Sequence, residues 1–161
     1  MRKATVEEGA STPCNSLALR QAARHVSQIY ESHLAVEGLR ASQYSILSTL
    51  GRSGSQPIGA LAKLMVMDRT TLGRALKPLE RDGLLVIGPG PDGRTRSLRL
   101  TPAGEARLAA AAVRWREAQA EFEAAFGAQA AADLRATLRR VITVTGEGRT
   151  GDRPAQRGNE A

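Results

Sequence analysis

The sequence predicts a mainly α-helical fold that contains one short pair of β-strands. Aromatic residues make up only 3% of the 161 residues, so we expect an aliphatic core. Apolar residues recur at three- and four-residue steps over most of residues 15–144, as they do in amphipathic helices. A Gly/Pro-rich turn at 88–93 separates two short segments of strand character. The length suits one domain with an added dimerisation element.

The first two predicted helices precede a loop at residues 51–55. Residues 15–36 form an amphipathic helix that Gly38 ends, and Ser42 is the predicted N-cap of the second. The apolar stripe of the first helix is expected to be buried. It consists of Leu19, Ala22, Ala23, Val26, Ile29, Tyr30 and Leu34. The second helix has an apolar face made of Ile46, Leu47 and Leu50.

Two further helices follow in the middle of the chain. Gly59 is the expected cap of a short helix over 60–65. Asp68 is the expected N-cap of a longer one that runs to Asp82, with Gly83 as the residue after its end. Within it, Pro78 lacks an amide proton and is expected to kink or end the helix.

The second half of the chain begins with the strand pair, predicted at 84–87 and 97–100. Thr101 and Pro102 then suit the N-cap and first position of a long helix, which Gly127 ends. A last helix is predicted at 128–144.

The order of short helix, turn, helix, strand, loop and strand is that of a winged helix-turn-helix. In this fold the second helix of the pair enters the major groove of DNA. Hydroxyl and cationic side chains at its start suit base edges and phosphates, and a cationic hairpin tip suits the narrow minor groove. The DNA contacts that we predict are Arg69, Thr70, Thr71, Arg74, Lys77, Arg94 and Arg96.

The charge distribution agrees with a nucleic-acid partner. The net charge is +7, and residues 58–104 hold eight Lys/Arg against four Asp/Glu. Five of those eight cations lie on the two elements that are expected to touch DNA. A solvated basic hairpin without a partner is the alternative interpretation. Asp92 is expected to fix the hairpin turn, since a carboxylate beside phosphate is unfavourable.

Several classes of protein are disfavoured. The single cysteine, Cys14, excludes an internal disulfide framework and a CxxC metal site, and it fits a reducing compartment. His25 and His33 have no acidic or thiol cluster near them at metal-ligand spacing, so no metal is expected. No nucleophile–base pair or phosphate-binding loop indicates an enzyme, and no cofactor is expected. No apolar stretch is long enough for a membrane span, and the N-terminus lacks an apolar signal core, so a cytoplasmic protein is predicted.

Residues 58–85 and 91–105 resemble the MarR family of dimeric winged-helix regulators. The pattern is DRTTLGR, then PLERDGL, then DGR before LTPAG, with LRQAARHVSQIYE and ASQYSIL upstream. The chain departs from the family at Val66, where the turn between the helices often carries Gly.

This resemblance implies a homodimer that binds a pseudo-palindromic operator in double-stranded DNA. We expect a disordered arm (1–13), a MarR-like domain (14–145) and a disordered tail (146–161). Within the domain, dimerisation helices would cover about 14–36 and 103–144 and the winged helix-turn-helix about 42–101.

The resemblance also implies a repressor that a small lipophilic or phenolic ligand releases from DNA. Tyr30, His33 and Tyr44 are candidates for lining the effector pocket, although each also suits an ordinary core or surface position. In the peroxide-sensing branch a reactive cysteine occupies the position that falls on Ser16 here. Cys14 lies two residues earlier, at a helix N-terminus that favours the thiolate, so a thiol switch is an alternative. A further alternative is an architectural DNA-binding protein without a defined operator.

Overall fold

A computed structural model describes residues 14–90, 93 and 95–147, and the side chains of residues 14–90, 93 and 95–144. The chain divides into two compact units, with the boundary after Ala120. The predicted arm at 1–13 and most of the predicted tail at 146–161 lie outside the described residues. The elements of the described part are α1 (Asn15–Leu34), α2 (Ala41–Ser53), β1 (Gln56–Pro57), α3 (Ile58–Leu64), α4 (Arg69–Arg81), β2 (Leu85–Pro89), β3 (Arg96–Leu100), α5 (Pro102–Phe126) and α6 (Ala128–Glu147).

The first unit has a leucine-rich core to which α1, α2, α3, α4, α5 and the sheet contribute. The largest side chains that are fully buried there are Leu34, Ile46, Leu47, Leu50, Leu61, Leu72, Leu76, Leu79, Leu85 and Leu98. The predicted apolar face of α2 is thereby confirmed. The burial predicted for the α1 stripe is not found within the single chain, because Leu19 is 44% exposed and Leu34 is the only residue of the helix that is buried.

The sheet has three strands rather than the predicted two, in the order β1-β3-β2, and all pairs are antiparallel. The added strand β1 has only two residues, and it pairs Gln56 with Leu98 and Pro57 with Ser97. The strands β2 and β3 form the hairpin. Its turn is closed by the amide of Gly93, which donates to the Gly90 carbonyl at 2.9 Å. The proposed role of Asp92 in this turn lies outside the described residues.

Three boundary predictions need correction. Helix α2 begins at Ala41 with Arg40 as N-cap, not Ser42, and continues through Gly51 to Ser53. A Cβ on Gly51 would lie 2.7 Å from a methyl group of Leu108, so glycine here allows α5 to pack closely against α2. Helix α3 begins at Ile58 with Pro57 as its N-cap, so Gly59 is not the cap.

The cap predictions for α4 and α5 are confirmed. Asp68 caps α4, and Gly83 follows its end with a left-handed φ of 68°. Pro78 does not end α4, which continues to Arg81. The Thr101 hydroxyl accepts the Gly104 amide at 3.0 Å at the start of α5.

Gly104 allows the closest approach of the backbone in the first unit. A Cβ at this position would lie 1.9 Å from the Leu84 carbonyl oxygen. That oxygen also accepts the Thr101 amide at 3.1 Å, so α5 starts directly against the chain that leads into β2. No side chain fits between them without a backbone shift.

The second unit contains the end of α5 and all of α6. Phe122 and Phe126 stack with ring centroids 5.4 Å apart, and Arg135 forms an ion pair with Glu123 at 3.0 Å. Gly127 separates the two helices with a φ of 93°, as predicted. Helix α6 leaves several apolar side chains in solvent, namely Leu138, Val141, Ile142 and Val144.

Candidate nucleic-acid interface

Helix α4 has one buried side and one exposed cationic side. Leu72, Leu76 and Leu79 are at most 1% exposed and attach the helix to the core. The opposite side is exposed and carries Thr70, Arg74, Lys77 and Arg81 at three- and four-residue steps. All five side chains that were predicted on this helix to meet DNA are exposed, and three of them lie in this row, which Arg81 extends by a further turn.

The N-terminus of α4 is held by one carboxylate. The amide and the hydroxyl of Thr71 both donate to Asp68, at 2.8 and 2.6 Å. The Thr71 hydroxyl and then its amide lower the pKa of Asp68 below its usual value. The Thr71 hydroxyl proton is thus committed to the cap, and the methyl group of Thr71 is what remains for a thymine methyl. The Thr70 hydroxyl makes no such hydrogen bond within the described chain.

A cleft lies between the start of α4 and the turn end of the hairpin. Arg69 and Arg96 line it together with Thr95 and the start of α3, and its volume is about 390 Å³. A Cβ on Gly59 would lie 3.1 Å from a terminal nitrogen of Arg69, so glycine leaves room for the guanidinium over α3. The structure therefore brings Arg69 together with Arg96 at the wing. We name this space the wing-side cleft.

The turn between α3 and α4 contains a strained residue. Val66 has a φ of 53°, a left-handed conformation that is unfavourable for a β-branched side chain. Its amide donates to the Lys63 carbonyl at 3.1 Å, and the side chain is 68% exposed. Val66 therefore holds this turn with backbone strain that a glycine would avoid.

The structure does not place the other arginines of the wing in the wing-side cleft. Arg94 lies outside the described residues, so its place is not tested. Arg99 does not join Arg96. It lines a different cavity, of about 430 Å³, beside Leu50 and Leu108.

The candidate effector residues are only partly brought together. Tyr30 and Tyr44 line a cavity of about 240 Å³ with Trp115, whose ring centroid is 6.4 and 6.1 Å from theirs. The Tyr30 hydroxyl donates to Gln119 at 2.5 Å, and burial raises the pKa of Tyr44. Trp115 lies within the segment 103–144 that was predicted for dimerisation, and the sequence contains no signal that joins it to these tyrosines.

His33 does not line this cavity. Its Nδ1 lies 3.7 Å from a carboxylate oxygen of Glu117, which also binds Arg114 at 3.1 Å. Arg114 and, to a smaller extent, His33 lower the pKa of Glu117. The prediction of His33 as a pocket residue thus finds no support in the geometry.

Cys14 is exposed at the N-cap position of α1. Within the described ranges, no group of three or more metal-ligating side chains lies close enough together to hold an ion. No described helix is both long and apolar enough to cross a lipid bilayer.

Comparisons with known proteins agree on one family. The model of the MarR family matches residues 39–87. The transcriptional regulator MosR of Mycobacterium tuberculosis, solved in complex with DNA, is 31% identical with a TM-score of 0.76, over 85% of this chain and 99% of that one. A probable transcriptional regulator of Pseudomonas aeruginosa is 30% identical with a TM-score of 0.71, over 79% and 96% of the two chains.

A more distant structure supports the fold alone. A mutant of Escherichia coli MarR in complex with operator DNA is 19% identical, with a TM-score of 0.71 over 79% of this chain and 92% of that one. A search of curated proteins finds no match.

Proposed function

The chain belongs to the MarR family of DNA-binding transcription regulators, which are not enzymes, and on this premise we propose that it is a sequence-specific repressor. It binds a pseudo-palindromic operator as a homodimer, and a small phenolic or lipophilic ligand releases it. The observation that carries the proposal is the cationic side of α4 beside the wing-side cleft, because its buried leucines leave Arg74 and Lys77 facing outward.

The specific contacts follow from the chemistry of each side chain. Thr70 and Arg74 are assigned to base edges in the major groove, where Arg recognises guanine. Lys77 and the pair Arg69 and Arg96 are assigned to phosphates, since the pair shares a cleft at the edge of the helix. Arg94 is assigned to the minor groove on its position in the wing sequence alone.

Apolar side chains in solvent support the homodimer. On α6, Leu138, Val141 and Ile142 form one stripe, between 36% and 51% exposed. On α1, Leu19 is 44% exposed. Burial of each of these surfaces against a second copy of the chain removes it from water.

The aromatic cavity supports the phenolic effector. Three aromatic rings surround a space of about 240 Å³, and Ser27 and Ser45 add hydroxyl groups to its wall. Trp115 is the only tryptophan in the sequence, so its fluorescence reports directly on this cavity. Titration with a series of small phenols is expected to quench that fluorescence, and Tyr44→Ala is expected to abolish the quenching.

Selection of bound sequences from a random duplex pool tests the proposal. The expected result is two inverted half-sites one helical turn apart. Arg74→Ala is expected to cost about 1–3 kcal/mol of binding to the selected site and much less to random duplex. Arg52→Ala, an exposed arginine at the far end of α2, is the matched control. A specificity ratio near one for the wild type identifies an architectural DNA-binding protein instead.

A thiol switch is the second candidate function, which the exposure of Cys14 favours. Peroxide would oxidise the thiol to a sulfenic acid with release of water. If DNA binding is sensitive to mild peroxide in the wild type and equally so in Cys14→Ser, this candidate is excluded.

A further inference from the structure

A second cleft lies on the side of α4 that faces the start of α2. Its volume is about 590 Å³. Arg40, Ser42 and Gln43 contribute from the start of α2, and Arg74 and Arg81 from α4. We name it the α2-side cleft. None of these residues except Arg74 belongs to the predicted DNA contacts.

The cleft is lined by three arginines and by one carboxylate, that of Asp82, so its positive charge is only partly compensated. Arg81 pairs with Asp82 at 2.9 Å in an exposed position. Arg40 and Arg74 form no ion pair or side-chain hydrogen bond within the part of the chain that the structure describes. At Arg40 only backbone groups are engaged: the amide donates to the Gln43 side chain at 2.9 Å, and the carbonyl accepts the Tyr44 amide at 3.0 Å. The guanidinium of Arg40 is therefore available to an anion.

The two clefts border opposite flanks of the same helix. Arg69 and Arg96 line the wing-side cleft, whereas Arg40 and Arg74 line the α2-side cleft. A helix that lies in a major groove is bordered on both sides by phosphate backbones, because the groove is only about 12 Å wide. Each flank of α4 thus carries a pair of arginines where one strand would pass.

We propose that the α2-side cleft binds a backbone phosphate of the DNA strand opposite the wing, with Arg40 as its main donor. The proposal rests on the proposed function, since it requires α4 to lie in the major groove. Arg74 stands at the edge between the cleft and the groove and stays available to bases. The Ser42 hydroxyl, which is exposed, adds a neutral donor to the same phosphate.

This assignment gives Arg40 and Arg74 different signatures although they line one cleft. A phosphate contact carries no sequence information, so its loss weakens specific and random binding equally. Each phosphate contact also adds about 0.9 to the slope of log affinity against log salt. Arg40→Ala is therefore expected to reduce the slope by about 1 for each bound subunit. At physiological salt that slope corresponds to about fivefold weaker binding for each contact.

The experiment uses the full chain and an operator obtained by selection. Affinity is measured against salt for the wild type, Arg40→Ala, Arg40→Lys and the control Arg52→Ala. Arg40→Lys is expected to keep most of the salt slope, and Arg52→Ala all of it. Circular dichroism checks folding, and little change is expected because the Arg40 side chain makes no cap bond.

Phosphate ethylation interference locates the contact. In the wild type, ethylation of a phosphate on the strand opposite the wing is expected to block binding, and this interference is expected to vanish selectively in Arg40→Ala. An unchanged interference pattern, or a loss of affinity for the operator without a loss for random duplex, overturns the proposal. A wild type without a selectable operator instead contradicts the proposed function, so the two failures are distinguishable.

Discussion

Helices α4 and α6 are both amphipathic, but they differ in how far their apolar sides are buried within the chain. In α4 the leucines at 72, 76 and 79 are buried within a single chain, and the side left in solvent is cationic. In α6 the side left in solvent includes the apolar residues Leu138, Val141 and Ile142. The contrast indicates that α4 has completed its packing and is free to meet a charged ligand, whereas α6 has apolar surface that a second chain can cover.

The largest expected effect distinguishes the two kinds of leucine. Leu76→Ala, at a position 1% exposed, is expected to lower the free energy of unfolding by about 2–5 kcal/mol. Leu138→Ala makes the same chemical change at a position 36% exposed. Chemical denaturation at several protein concentrations measures both. The comparison predicts that the loss in Leu138→Ala grows with protein concentration, since it acts through association. Equal, concentration-independent losses would contradict the contrast between the helices.

The second prediction concerns the exposed stripe of α6. Ile142→Glu is expected to weaken dimerisation by about a hundredfold or more, because a two-fold interface would bury the unpaired carboxylate twice. Ala136→Glu places the same charge on an exposed position about one third of a turn or more from the stripe, and it serves as the control. Sedimentation equilibrium measures both constants. A dimer that tolerates Ile142→Glu as well as Ala136→Glu would show that α6 is not at the interface.

A third, smaller effect is expected where the chain enters α4. Val66→Gly removes left-handed strain of about 1–2 kcal/mol from the folded state. Glycine also has greater backbone freedom in the unfolded state, which lowers the stability by about 0.5–1 kcal/mol. A net gain in stability of up to about 1.5 kcal/mol is expected in thermal unfolding. Val66→Ala retains a Cβ and is expected to gain less. A destabilised Val66→Gly would show that contacts of the valine side chain outweigh its strain.

The smallest expected effect is the pH dependence of the α4 cap. The pKa of Asp68 lies below its usual value in the folded chain, so its carboxylate contributes stability that is complete above the unfolded pKa. This contribution is lost as the pH falls through the lowered folded pKa. Asp68→Asn keeps a capping oxygen but does not titrate. Thermal unfolding is measured for both proteins between pH 6 and 2. The wild type is expected to lose stability relative to Asp68→Asn only at the acidic end of this range.

Local patterns predicted much of the fold and of the interface. The three- and four-residue spacing of leucines placed the buried side of α4, and the same spacing left its cationic residues outside. Asp68, Gly83 and Gly127 marked helix ends correctly, because caps depend on the few residues that surround them.

Predictions failed at positions whose structure depends on a segment that is distant in sequence. Helix α2 continues through Gly51 because α5 packs against it, and no neighbour of Gly51 in sequence indicates Leu108. The two residues of β1 are too few for a pattern, and they pair only because β3 returns beside them. Trp115 and Arg40 were missed as site residues for the same reason, since their partners lie on other elements.

The sequence by itself determined the order of the helices, the buried sides of α2 and α4, and the cationic surface of α4. These features follow from the periodicity of an α-helix and from caps that act over one turn. Only the tertiary structure decided which side chains share a cleft: Arg69 with Arg96, Arg40 with Arg74, and Tyr30 and Tyr44 with Trp115. The physical reason is that a cleft forms between elements, and its composition depends on how their leucines pack rather than on neighbouring positions in the chain.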